Sequence, residues 1–170
     1  MPANMNRDNK YSNPQLLALV LLRFLIGWHI LYEGFAKLMN PNWSASGFLK
    51  ESQWILSGFA QWIVSDPAVL GAVDFLNTWG LIAIGLGLIL GLFFKVAAIS
   101  GALLLLVYYL NCPPLVGLEY SLPADGNNLV VDKTLIEAVA LVVLALFPTG
   151  KIFGLDGLWR NFKKRRSIQQ

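Results

Sequence analysis

Charge is what this sequence lacks most. Only 14% of its 170 residues are Asp, Glu, Lys or Arg, whereas 56% are hydrophobic, and mean hydropathy is +0.57. Soluble domains carry roughly 25% charged residues. A water-soluble globule of this length cannot coat its surface with so few charges, so the composition points to a chain solvated by lipid. Cysteine and histidine are equally scarce, with one of each, Cys112 and His29. A single cysteine excludes an internal disulfide and a CxxC redox pair. With one histidine and one cysteine, a haem pair, an iron–sulfur site and a typical zinc site are excluded too. There is no Gly-rich phosphate loop and no room for a flavin or nicotinamide domain. No metal and no covalent cofactor are expected. Any redox chemistry must use a lipid-soluble carrier or a partner that brings its own centre.

Long apolar runs are what the chain has in abundance. A helix needs ~20 residues to cross ~30 Å of hydrocarbon. The punctuation by Pro, Gly and Asn predicts membrane helices at about 15–39, 79–94, 96–111 and 130–147. Between the first two lies a stretch of intermediate polarity, about 46–75, in which Ile55, Phe59, Trp62 and Ile63 recur at helical spacing. It is too polar to span and too aromatic to float free, so it reads as interfacial helix at the membrane surface. The fold expected is all-α: an integral membrane four-helix bundle with interfacial helices in its first outward loop. Residues 1–14 form a cytoplasmic arm, 15–159 one membrane domain, and 160–170 a basic cytoplasmic tail. The first apolar run is too long for a secretory leader and reads as a retained helix.

Basic residues set the orientation. Arg7 and Lys10 lie in the arm, Lys95 in the turn between the second and third helices, and Lys151, Arg160, Lys163, Lys164, Arg165 and Arg166 beyond the fourth. With four helices they fall on one side, which the positive-inside rule makes the cytoplasm, so both termini face inward. The tail reads as a contact with anionic lipid headgroups rather than with nucleic acid.

Candidate chemistry gathers on the first helix. Arg23, His29, Glu33 and Lys37 cost ~2.5–3.5 kcal/mol each on insertion scales if they meet lipid. At about 100° per residue they sit near 0°, 240°, 280° and 320° around the axis, within an arc of about 120°. This face should look into the bundle. His29 and Glu33, and Glu33 and Lys37, are spaced i, i+4 and can touch. On the fourth helix, Glu137 lies at a depth between Arg23 and His29 and can reach either. Gly27 and Gly34 would let another helix approach closely, as would Ala83, Gly87 and Gly91 on the second helix. Tyr108 and Tyr109 read as part of an aromatic belt. Trp28 is a candidate wall for a flat ligand.

The stretch Arg23-Phe-Leu-Ile-Gly-Trp-His-Ile-Leu-Tyr-Glu-Gly-Phe-Ala-Lys37, the run from Gly85 to Leu110 and the stretch Leu135-Ile-Glu137 through Phe147-Pro-Thr-Gly150 together resemble the DoxX family. The resemblance is closest to the branch related to the DoxD subunit of thiosulfate:quinone oxidoreductase. It implies a multi-pass protein of the bacterial inner (cytoplasmic) membrane. For some members it implies a membrane subunit that passes electrons from a sulfur compound to quinone beside a partner redox subunit. On that reading Arg23, His29, Glu33, Lys37 and Glu137 are catalytic candidates, and Trp28 and Gly34 are candidates for binding the quinone. Two other readings stand beside it: a non-catalytic anchor or assembly subunit for a partner enzyme, and a small transporter. The sequence leaves open whether the chain itself turns over substrate.

Overall fold

The computed structural model describes residues 11–121, 129–147, 149–151 and 154–155. The basic arm residues Arg7 and Lys10, the tail 160–170 and part of the third loop lie outside them. The described residues are helical, with no strand among them: α1 (Asn13–Met39), α2 (Ser46–Lys50), α3 (Ser57–Ser65), α4 (Pro67–Leu90), α5 (Phe94–Asn111), α6 (Lys133–Leu146) and a 3-10 turn at Thr149–Lys151. Three of these, α1, α4 and α5, are long and apolar enough to cross a membrane. Helix α6 has 14 residues, a length of about 21 Å at 1.5 Å per residue.

Each boundary has a local cause. At the start of α1, Gln15 Oε1 accepts from Ser12 N at 2.9 Å, and Pro14 occupies the first turn, where its missing N–H costs nothing. Helix α4 begins at Pro67, twelve residues before the expected start at 79, because Asp66 caps it. Its Oδ1 accepts from Ala68 N at 2.8 Å and from Val69 N at 3.3 Å. The polar residues just before the expected start lie inside one continuous helix. Asp74 Oδ1 accepts from Ala45 N at 2.8 Å, Asn77 bonds Tyr108, and Thr78 is buried. Helix α4 stops at Gly91, whose φ of 64° is left-handed. Gly91 makes the turn and is closely approached as well: a Cβ on Gly154 would lie 3.0 Å from the Gly91 Cα. Asp132 caps α6 by accepting from Leu135 N at 2.8 Å.

Helix α1 packs along α4, α5 packs against both α4 and α6, and α6 touches α1 more sparsely. The apolar face of α1, with Ile26, Ile30 and Leu31, is buried at spacings of three to five residues. Glycines set how near α1 and α4 come. A Cβ on Gly85 would lie 2.7 Å from the Leu31 backbone nitrogen, and one on Gly34 would lie 2.8 Å from Ile82. Such small-residue contacts supply the packing that hydrophobicity cannot supply in lipid. The core between the four helices holds Ile30, Leu81, Leu88, Phe94, Leu105, Leu141 and Leu144. A second cluster, Ala45, Leu49, Ala60 and Ile63 with Val69 and Leu70 beside them, joins α2 and α3 to the first turns of α4. Residues 46–75 thus form a small packed layer at the Lys37 end of α1. Phe59 and Trp62 stack on its open side, ring centroids 5.6 Å apart, both more than half exposed.

Candidate functional site

The ionisable residues of α1 fall into three levels along the helix. At the first, Arg23 is buried. Its Nη1 donates to Thr149 Oγ1 at 3.4 Å, and its guanidinium carbon stands 5.6 Å from the centroid of Phe94. Thr149 is itself fully buried, and a Cβ on Gly150 would lie 2.7 Å from that of Phe94. The turn after α6 is therefore packed hard onto Arg23 and the start of α5.

At the second level, His29 Nδ1 stands 2.9 Å from Glu137 Oε1 and 3.1 Å from Oε2. An ionised carboxylate only accepts, so Nδ1 carries the proton and donates it. The ring is thereby held with Nε2 as its second, exchangeable position. The His29 side chain is 52% exposed and that of Glu137 is 13% exposed, so the pair sits in the open seam between α1 and α6. Of the contacts the spacing allowed, His29 makes the one across to Glu137 on α6, and Glu33 makes the one to Lys37 at the third level.

There, Lys37 Nζ lies 4.0 Å from Glu33 Oε2, 5.2 Å from the Trp43 ring centroid and 5.5 Å from that of Tyr108. These rings and the neighbouring α2 and α4 enclose a cavity of about 340 Å³ lined by Lys37, Trp43, Ser44, Ala45, Gly47, Phe48, Asn77 and Tyr108. Phe48 meets Tyr108 edge-on at 5.7 Å. Asn77 Nδ2 donates to Tyr108 Oη, while Asn77 Oδ1 is buried without a hydrogen-bond partner.

The other two candidates are placed differently from a shared pocket. Trp28 is 57% exposed on the outward side of α1. Gly34 faces α4, and the space beside it is filled by Leu81 and Ile82. Neither lines the Lys37 cavity. Two residues read as an aromatic belt are turned inward. Tyr108 holds Asn77, and Tyr109 is buried and donates through its hydroxyl to Val130 O at 2.7 Å. Sequence reasoning missed Asn77 and Trp43 as site residues. An amide in the middle of an apolar helix was the available signal for Asn77. Trp43 follows a chain break, and only the fold brings it over Lys37.

Outside the membrane segments, Cys112 follows the last residue of α5. Burial, with the Glu51 carboxylate nearby, pushes its thiol up to about 11. It is not a poised nucleophile.

Three apolar helices of spanning length define a multi-pass membrane protein. Residues 18–111, more than half of the chain, match the DoxX family, and the chain belongs to that family. The match takes in α1 through α5, with all three levels of α1, and stops before α6 and Glu137. No curated protein and no solved structure matches the chain.

Proposed function

We propose that this chain is the membrane subunit of a quinone-linked oxidoreductase system of the DoxD-like kind, in the bacterial inner membrane. The observation that carries the reading is the His29–Glu137 pair, open to the seam between α1 and α6, with Glu33 and Lys37 continuing the line along α1. Converting a quinone to a quinol takes up two electrons and two protons. Electrons would come from a partner subunit or a donor compound such as a sulfur anion. Protons can pass through His29 Nε2, with Glu137 holding Nδ1 and stabilising the imidazolium as it forms. Such groups are expensive to keep at membrane depth, and a proton path is one of the functions for which they are kept there.

The arrangement in the bilayer belongs to the same proposal. Helix α6 completes a fourth span with the residues on either side of it, both termini are cytoplasmic, and α2 and α3 lie in the outward interface with Phe59 and Trp62 facing lipid. The Lys37 cavity is then at the outward end and the Arg23–Thr149 contact at the cytoplasmic end.

Native mass spectrometry on gently extracted protein, with the bound small molecules then identified, tests the reading. Stoichiometric quinone that is weakened by His29→Ala or Glu33→Gln is the expected result. A stoichiometric protein partner with no quinone would overturn it in favour of an anchor or assembly subunit.

A further inference from the structure

A groove on the surface of the bundle, between α4 and α5, has no part in the ionisable levels of α1. Its volume is about 470 Å³, and it is lined by Ala83, Gly87 and Leu90 of α4 and by Val96, Ala97 and Ser100 of α5. The sequence makes this shape. A Cβ on Gly87 would lie 2.9 Å from that of Ala97, so the helices meet closely there and their small residues form a low floor. Leu90 is 45% exposed and Val96 63% exposed, and they stand as rims. Ser100 is the one polar residue of the lining, and on a helix its hydroxyl can bond the carbonyl four residues back. Phe93 lines the end nearest the turn. Its φ is 47°, a left-handed backbone that bulky residues rarely adopt, and its side chain is exposed, while the next residue, Phe94, takes the core position. Lys95, between the groove-lining Phe93 and Val96, is exposed at the same end. An apolar channel thus ends beside an aromatic ring and an ammonium group.

We infer that this groove holds one acyl chain of an anionic phospholipid, with the lipid phosphate on Lys95. In a bilayer an apolar groove is filled by hydrocarbon, because a void forfeits the dispersion contacts of its walls. Measured from the turn at 1.5 Å per residue, Ala83 and Ser100 lie about 10–12 Å along their helices. The groove therefore takes the part of a chain nearest its ester, and the headgroup falls at the level of Phe93 and Lys95. An ammonium group at that level favours a negative headgroup over a zwitterionic one, by about fivefold for a single lysine. The same charge argues against a second copy of the chain as the occupant. Copies docked symmetrically through this face, about an axis along the membrane normal, would bring two Lys95 ammonium groups together. The inference is independent of the quinone-linked reading and of the side of the membrane that the turn faces.

Native mass spectrometry of the full-length protein, delipidated in detergent and titrated with lipid, tests this. The probes are palmitoyl-oleoyl phosphatidylglycerol and palmitoyl-oleoyl phosphatidylcholine, which share their chains and differ in headgroup charge. A single phosphatidylglycerol is expected to be retained per chain, about fivefold more tightly than phosphatidylcholine. Lys95→Gln should remove the preference and leave phosphatidylcholine binding unchanged. Ala83→Phe and Ser100→Phe, which fill the groove from opposite walls, should each largely abolish retention of both lipids. Lys95 is exposed, so its variant tests the headgroup contact even where a groove variant fails to fold. A preference that survives Lys95→Gln belongs to the basic tail and would overturn the assignment. So would retention of neither lipid, or retention indifferent to both groove variants. A dimer that either groove variant dissolves would also overturn it, by making the groove a contact between copies.

Discussion

His29 on α1 and Glu137 on α6 are 108 residues apart in the chain and 2.9 Å apart in space, a hydrogen bond across the sparse seam between these two helices. Its worth follows from its surroundings. Side-chain hydrogen bonds between membrane helices average ~0.6 kcal/mol and reach ~1.7 kcal/mol in double-mutant cycles. A cycle of His29→Gln and Glu137→Gln, read by thermal unfolding in detergent, should give a coupling of about that average because His29 is half exposed. A coupling indistinguishable from zero would show that the pair does not hold the seam.

The α1–α4 contact should be far less forgiving. A Cβ on Gly85 or Gly34 falls within 3 Å of backbone atoms on the other helix. Gly85→Leu must therefore push the helices apart. Overpacking typically costs ~1–3 kcal/mol, and clashes with backbone belong at the upper end. Gly47→Ala, in open space on α2, is the control. It should be neutral or stabilising by up to about 1 kcal/mol because alanine favours helix. The comparison is made by melting temperature and by yield of monodisperse protein.

Much of this was legible in the sequence. Helix α1 follows from a spacing near 3.6; of its ionisable stripe, Arg23, His29 and Lys37 reach residues outside α1, whereas Glu33 is half exposed and pairs with Lys37 of the same helix. The extent of α4 was not legible. Asp74, Asn77 and Thr78 look like a polar interruption, and only tertiary contacts with Ala45 and Tyr108 show them to be internal tethers. Partner choice was also hidden. Helical spacing allows Glu33 to reach either His29 or Lys37, and the position of α6 decides between them. Tyr108 and Trp43 could not be assigned to Lys37 because a ring near a membrane end has no sequence mark of the direction it faces.

Helix capping gives a prediction independent of function. Asp66 accepts from two backbone N–H groups at the start of α4, whereas Asp132 accepts from one at the start of α6. Replacing either with alanine should lower stability by about 1 kcal/mol. Asp66→Ala should be the larger loss, because it also frees the start of α4 on which Ala60 and Ile63 pack. Urea or thermal unfolding of the two variants side by side checks the order.

Cys112 should be slow to alkylate. Its thiol, raised to about 11, stays protonated at neutral pH, whereas a free cysteine ionises near ~8.5. The iodoacetamide rate on the folded protein should be well below that of a model thiol at pH 8 and should keep rising towards pH 11. The linkage has a definite sign. A proton held more tightly in the folded state stabilises it fully below the unfolded value, and that stability is lost as pH rises from about 8.5 to 11. Reaction at the model-thiol rate at pH 8 would contradict this burial.

Synthesis order gives the His29–Glu137 separation one more meaning. At ~5–20 residues per second, the 108 residues between the two take about 5–20 s to make. For that interval α1 has no α6 beside it, and His29 waits in the bilayer without its carboxylate. A chain cut short before residue 137 would keep α1, α4 and α5 yet leave a bare imidazole on its flank. In the finished protein the same residue ties α1 to α6.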